Sequence, residues 1–250
     1  MASVALRVFI FCLLHLCIQC DQMPVNTNVL AKIIQYFDDK LQPTSYDRPN
    51  QYSVVIRVPY QQCTEHFSLD WVFSMDEMKN AFSDFKTNSK RRFCEVIQDS
   101  VSLRAAKPSW IQMTSSSGET LHSEYVLVYP IDATKTSPLD KILRMPNDDQ
   151  CVVLYTYNSP CIEKCINNKD DTILYGLSNW LKTRRTGIKA FIFQEMWRRN
   201  STGVPADQQQ QFTKINNLVP LYRCVKENNQ MKCYKCGDAG SEMLHENCVS

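Results

Sequence analysis

Residues 151–165 read CVVLYTYNSPCIEKC. The first seven are all apolar, β-branched or aromatic, so 151–157 predicts a buried strand. Asn158-Ser159-Pro160 then turns the chain. A helix is expected from Cys161, because Pro160 suits a first turn, where its missing N–H costs nothing. A strand feeding a helix through a short polar turn is the building unit of an α/β layered sheet.

The flanking segments repeat this alternation. Leu174, Leu177 and Leu181 lie on one face of a helix predicted over 173–182, and the IKAFIF run at 188–193 reads as a second central strand. Toward the N-terminus, Val29, Leu30, Ile33, Ile34, Phe37 and Leu41 recur at helical spacing, which predicts an amphipathic helix over 27–41. Pro43 and Pro49 break the chain, and 52–58 reads as a strand ending at Pro59. Ser74 and Glu77 form a capping-box pattern ahead of Met78, Ala81, Phe82 and Phe85. Residues 110–113 suggest a short strand and 114–120 a loop, while 121–128 fit helix or strand by periodicity alone. A short helix is expected over 137–143, and Gln208 to Gln211 on the exposed face of another. The expected fold class is therefore α/β.

The two ends differ from this body. Arg7 precedes an apolar run, 8–18, interrupted only by His15. That run has the length of a signal-peptide core and is too short to span a bilayer. The expected division is a signal peptide over 1–20, a main folded domain over 21–219 and a cysteine-rich tail over 220–250. No later segment is apolar for long enough to anchor the chain, so a secreted protein with no stable membrane association is expected. Asn200-Ser201-Thr202 is an N-glycosylation sequon, in agreement with export.

Composition limits the function classes. The chain has 250 residues, 44% apolar and 22% charged, enough for a real core without disulfides carrying the fold. The net charge of +2 is not that of a protein that coats nucleic acid by bulk charge. The pairs Arg91-Arg92, Arg184-Arg185 and Arg198-Arg199 are local features of a solvated surface or of a phosphate contact.

The chemistry concentrates in His122-Ser123-Glu124 and Cys161-Ile162-Glu163-Lys164-Cys165. Cysteines four apart share one face of a helix, and a helix N-terminus favours the thiolate that binds zinc. Two thiolates and one imidazole leave a fourth position open, which is the pattern of a catalytic zinc. Glu124, two residues from the imidazole, need not ligate and can instead carry a proton. The competing reading makes Cys161 and Cys165 disulfide partners and His122 a surface residue. Cβ vectors on adjacent helix turns run nearly parallel, which suits a shared metal better.

His-x-Glu followed by Pro-Cys and a second Cys resembles the signature of zinc nucleobase deaminases. The Ser-Pro-Cys wording is similar to the AID/APOBEC branch. With the export signal, the chain looks like a secreted novel AID/APOBEC-like deaminase over roughly residues 27–225. The resemblance implies a three-layer αβα deaminase sandwich around a five-stranded mixed sheet, with the strand at 188–193 parallel to its neighbour. It implies Zn2+ on His122, Cys161 and Cys165, with Glu124 as the catalytic proton shuttle. The implied reaction converts cytosine to uracil in single-stranded DNA or RNA, with a role in immunity. The loop after 188–193 shapes substrate choice in such enzymes. Here it holds Trp197, Arg198 and Arg199, which offer the stacking and charge that single strands need, unless Trp197 is core. Many members have Trp where this chain has Asn158, and the stretch between Val58 and Trp110 looks like an insertion.

Other readings of function stay open: a secreted zinc-bearing binding protein without turnover, or a deaminase of free nucleosides or of another amide or amine. Glu124 favours catalysis. Of the remaining cysteines beyond Cys20, Cys151 is expected as a free core thiol. Cys63, Cys94, Cys224, Cys233, Cys236 and Cys248 are then the disulfide candidates, with connectivity undetermined. A second zinc on Cys233 and Cys236, with Cys224 and Cys248 or His245, is the alternative.

Overall fold

The computed structural model describes residues 25–45, 48–68, 102–111, 119–130, 136–144, 150–167, 172–184, 186–197 and 205–249. The signal-peptide region, the capping box at Ser74, Cys94, Arg198, Arg199 and the Asn200 sequon lie outside these residues.

Helix α1 (Thr27–Lys40) starts where the Asn26 side chain caps it, accepting from Asn28 N. It buries Val29, Leu30, Ile33, Ile34 and Phe37, the stripe read from the sequence. Two short strands follow, β1 (Thr44–Ser45) and β2 (Arg48–Pro49), paired with each other. Strand β3 (Ser53–Pro59) leads into the short helix α2 (Gln61–Thr64). Strand β4 (Leu103–Ala106) pairs antiparallel with β3. Part of the presumed insertion is thus an edge of the sheet. Residues 109–111 are β-structured as expected: β5 (Ser109–Ile111) forms a ribbon with β6 (Glu119–Leu121). Helix α3 (Ser123–Val128) follows directly, so the ambiguous stretch is mainly helix. Helix α4 (Pro138–Leu143) opens with a full capping box between Ser137 and Asp140.

Strand β7 (Gln150–Asn158) is central. It lies antiparallel to β3 on one side and parallel to β8 (Ile188–Glu195) on the other. Between them come a π turn (Ile162–Ile166) and α5 (Ile173–Thr183). After β8 come α6 (Pro205–Asn216), β9 (Leu221–Glu227) and β10 (Gln230–Lys235). The main sheet has six strands, ordered β10-β9-β8-β7-β3-β4, with β7, β8 and β9 parallel. The fold is α/β with a mixed sheet, as expected, though with six strands in place of five.

The sheet separates two apolar layers. Val54, Ile56, Val58, Val153, Tyr155, Ile188, Ala190 and Ile192 pack with α1. Val55, Val152, Leu154, Phe191 and Phe193 pack with side chains of α3, α4, α5 and α6. Alternation by twos within each strand supplies both layers. Because both faces are covered, the central strands read as unbroken apolar runs. Helix α5 reaches α3 at Gly176, where a Cβ would stand 2.6 Å from Val128 Cβ.

Three expectations are corrected here. The residues from 220 are not an appended tail, since β9 and β10 extend the sheet. Asn228 and Asn229, with φ of 50° and 62°, make the two-residue turn of that hairpin. Cys151 is not a free thiol. It bonds Cys63 across 88 residues, with Cys224–Cys233 and Cys236–Cys248 as further disulfides. Cys63 reaches it because α2 follows β3, whose Val58 sits opposite Cys151. The Gln208–Gln211 patch is only partly exposed: Gln208 and Gln211 point inward from α6.

Candidate metal centre

His122 is the N-cap of α3, with extended φ −71° and ψ 149°. Its carbonyl takes the first helical bond, from Val126 N at 3.1 Å. Its side chain makes no capping bond, so the imidazole is left to other partners. Glu124 lies in the first turn of α3 and is only 1% exposed.

The second half of the site grows from the ends of two parallel strands, where a layered α/β sheet opens a crevice. Ser159 N donates to Glu195 O at 2.7 Å, and Ser159 Oγ accepts from Trp197 N at 2.9 Å. These bonds tie the exit of β7 to the exit of β8. Cys161 then caps a single π turn, and Cys165 N donates to Cys161 O at 2.8 Å. The expected helix from Cys161 is therefore this turn, which closes with Asn167 N donating to Ile162 O at 2.9 Å. Isolated π turns are frequent at functional sites. Both cysteines are buried and unbonded to any other cysteine, so the Cys161–Cys165 disulfide reading does not hold.

The two halves meet. Cys165 Sγ lies 3.1 Å from His122 Nδ1. One ligating atom each from His122, Glu124 and Cys165 falls within a 4.8 Å span. Cys161 lines the adjoining cavity with His122 and Glu124. The compact trio thus holds Glu124 where the sequence reading put Cys161.

Burial, and then the neighbouring Glu124 carboxylate, push the Cys165 thiol far above the ordinary thiol range. A divalent cation is what reverses that balance, because a coordinating thiol is deprotonated outright. Sulfur and imidazole nitrogen are the donors zinc prefers. The donors present therefore suit a zinc ion at His122 and Cys165, with Glu124 in the same cluster and Cys161 on the wall of the adjoining cavity.

The cavity beside these residues measures about 180 Å³. Gln51, Pro108, Asn158, Ser159 and Trp197 complete its lining. This is smaller than a site for a drug-sized ligand. Among the described residues, the buried indole N–H of Trp197 has no acceptor. Its neighbours Arg198 and Arg199 lie outside the described residues.

A polar network that the sequence reading did not single out surrounds Glu124. Oε1 accepts from Thr156 Oγ1 at 2.8 Å and from Gln51 Nε2 at 3.0 Å. Oε2 accepts from Ser123 Oγ at 3.2 Å, and Ser123 Oγ is 2.7 Å from Ser53 Oγ. Ser53, Ser123 and Thr156 are fully buried polar residues. The one available signal was a threonine inside the apolar run CVVLYTY.

The two cysteine pairs near the C-terminus bear on the second-zinc alternative. Cys224, Cys233, Cys236 and Cys248 are all consumed in disulfides, which leaves no thiolate there for a metal.

Searches of curated proteins and of solved structures each gave no match. One family model does match, that of Secreted Novel AID/APOBEC-like Deaminase 1, over residues 27–250. The match takes in both halves of the site and the β9–β10 hairpin, and with it the chain belongs to the Secreted Novel AID/APOBEC-like Deaminase 1 family.

Proposed function

We propose that the protein is a secreted zinc-dependent deaminase that converts cytosine to uracil in single-stranded nucleic acid. The observation that carries this reading is Glu124, a buried carboxylate facing the same small cavity as His122 and Cys161. Family membership supports the reaction class.

A zinc ion on His122, Cys161 and Cys165 would supply Lewis acidity at the cavity floor. The chain's own residues do the rest. Glu124 takes a proton from the attacking water and delivers it to the ring nitrogen, then takes the second proton from the hydroxyl newly bonded to the ring carbon and delivers it to the amine, whose C–N bond breaks. Water and cytosine become uracil and ammonia. Pro108 and Trp197 line the cavity beside Glu124.

Export is supported by three disulfides, which persist in oxidising compartments. Among the described residues no helix is long and apolar enough to cross a membrane.

The test is a panel of single-stranded DNA, single-stranded RNA and free nucleosides offered to zinc-loaded protein. Uracil appearing in a polymer supports the reading. Turnover of free nucleosides alone would move the substrate class. No turnover of any member would favour a binding protein of the same fold.

A further inference from the structure

Glu124 stands in two roles at once. Its carboxylate lies within 4.8 Å of the His122 and Cys165 donor atoms, and carboxylates are ordinary zinc ligands. If it ligated, the open position would close and the proton carrier would be lost. Something must hold it back.

We propose that Gln51 and Thr156 are positioning residues that hold Glu124 by Oε1 and keep it a proton carrier instead of a metal ligand. This rests on the metal-site reading above. The orientation of the Gln51 amide follows from its partners. Its Oε1 accepts from Asn158 N at 2.8 Å. A backbone N–H needs an acceptor, so the oxygen faces Asn158 and the NH2 group faces inward. There Nε2 lies 2.7 Å from Thr156 Oγ1, 3.0 Å from Glu124 Oε1 and 3.1 Å from Ser123 Oγ, and its two protons go to the two nearer acceptors.

Thr156 has one hydroxyl proton and two acceptors in reach, Glu124 Oε1 at 2.8 Å and Asn158 O at 3.1 Å. The charged, nearer acceptor takes it, because bonds to an ionised oxygen are about twice as strong as neutral ones. Oε1 therefore has two donors. Among the described residues Oε2 has one long bond, from Ser123, which makes Oε2 the freer, working oxygen. The sheet fixes Thr156 and brings Gln51 beside it. Thr156 pairs with Ser53 in the β3–β7 ladder, and Gln51 is two residues upstream on the same strand approach.

The experiment uses cobalt(II)-substituted protein, read by visible absorption. A thiolate-to-cobalt charge-transfer band reports the site, and the d–d bands report coordination number. Wild type and Thr156→Ser should share one intense, four-coordinate d–d spectrum. Gln51→Met, Thr156→Val and the double variant should keep the charge-transfer band. Their d–d bands should shift, and added azide, which perturbs the wild-type bands, should no longer change them once the carboxylate fills the open position. If the variants keep the wild-type d–d spectrum and only melt earlier, the clamp is structural and the inference is wrong. If wild type shows no charge-transfer band, the metal-site reading fails and the inference with it.

Discussion

Cys165 Sγ and His122 Nδ1 lie 3.1 Å apart although 43 residues separate them in the chain. Each residue sits where an element begins or turns: His122 caps α3, and Cys165 lies in the π turn that follows β7. The α3–α5 contact and the β3–β7 ladder hold these two elements in register. A site assembled this way depends on packing far from its own ligands, and the predictions address both.

Glu124→Gln keeps the size of the side chain and most of its hydrogen bonding, but it cannot take a proton. Metal content and melting temperature should stay close to wild type. Deaminase turnover should fall by at least the 10²–10⁴ that general acid–base assistance is roughly worth. Zinc loss in this variant would mean that Glu124 ligates, and retained turnover would place the proton carrier elsewhere.

The Cys63–Cys151 bond closes a loop across 88 residues. In the chain-entropy account such a loop is worth on the order of 4–5 kcal/mol. Cys63→Ser/Cys151→Ser should lose a comparable amount in denaturant unfolding. Peptide mapping of unreduced protein should recover the Cys63–Cys151 linkage. An alkylated Cys151 would contradict it.

Gly176→Ala sets two effects against each other. Alanine gains about 1 kcal/mol of helix propensity. The new Cβ would meet Val128 Cβ at 2.6 Å and Val128 O at 2.8 Å, and overpacking of this kind costs roughly 1–3 kcal/mol. The carbonyl is backbone and cannot rotate away, so the clash should win. Thermal melting should show net destabilisation; an unchanged or higher melting temperature would show that α5 moves freely off α3.

Asp38 accepts from Tyr155 Oη and Gln194 Nε2 in a largely buried position. Burial raises its carboxyl above the ordinary 3.8, with the Gln194 and Tyr155 bonds opposing. A raised folded value means stability is fully present below the unfolded value and is lost as pH rises through the folded one. Asp38→Asn removes that loss, and turning the Gln194 amide restores the hydrogen bonds. The variant should melt higher than wild type at pH 7, with the gain vanishing near pH 3.5. A variant that melts lower at pH 7 would show that the charged form is favoured.

Much of the site was legible in sequence because its chemistry is short-range. His122, Glu124, Cys161 and Cys165 sit in two compact motifs, and β7 announces itself by CVVLYTY. What was not legible depended on pairing between distant segments. Cys151 looked like core thiol because a buried disulfide cysteine and a buried free one have the same local sequence. The residues from 220 looked like a tail because half-exposed strands such as β10, with Lys232 and Lys235, lack an apolar run. Leu103–Ala106 is too short to carry a periodic signal. Gln51 could not be connected to Glu124 before the β3–β7 register brought them together.

The most direct test of the central claim is the zinc content of purified protein by elemental analysis. Wild type should hold about one zinc per chain in the three-ligand pattern of a catalytic site. His122→Ala, Cys161→Ala and Cys165→Ala should each lose it while remaining folded by circular dichroism. If all three variants keep the full wild-type zinc content, the site is not where His122 and Cys165 meet.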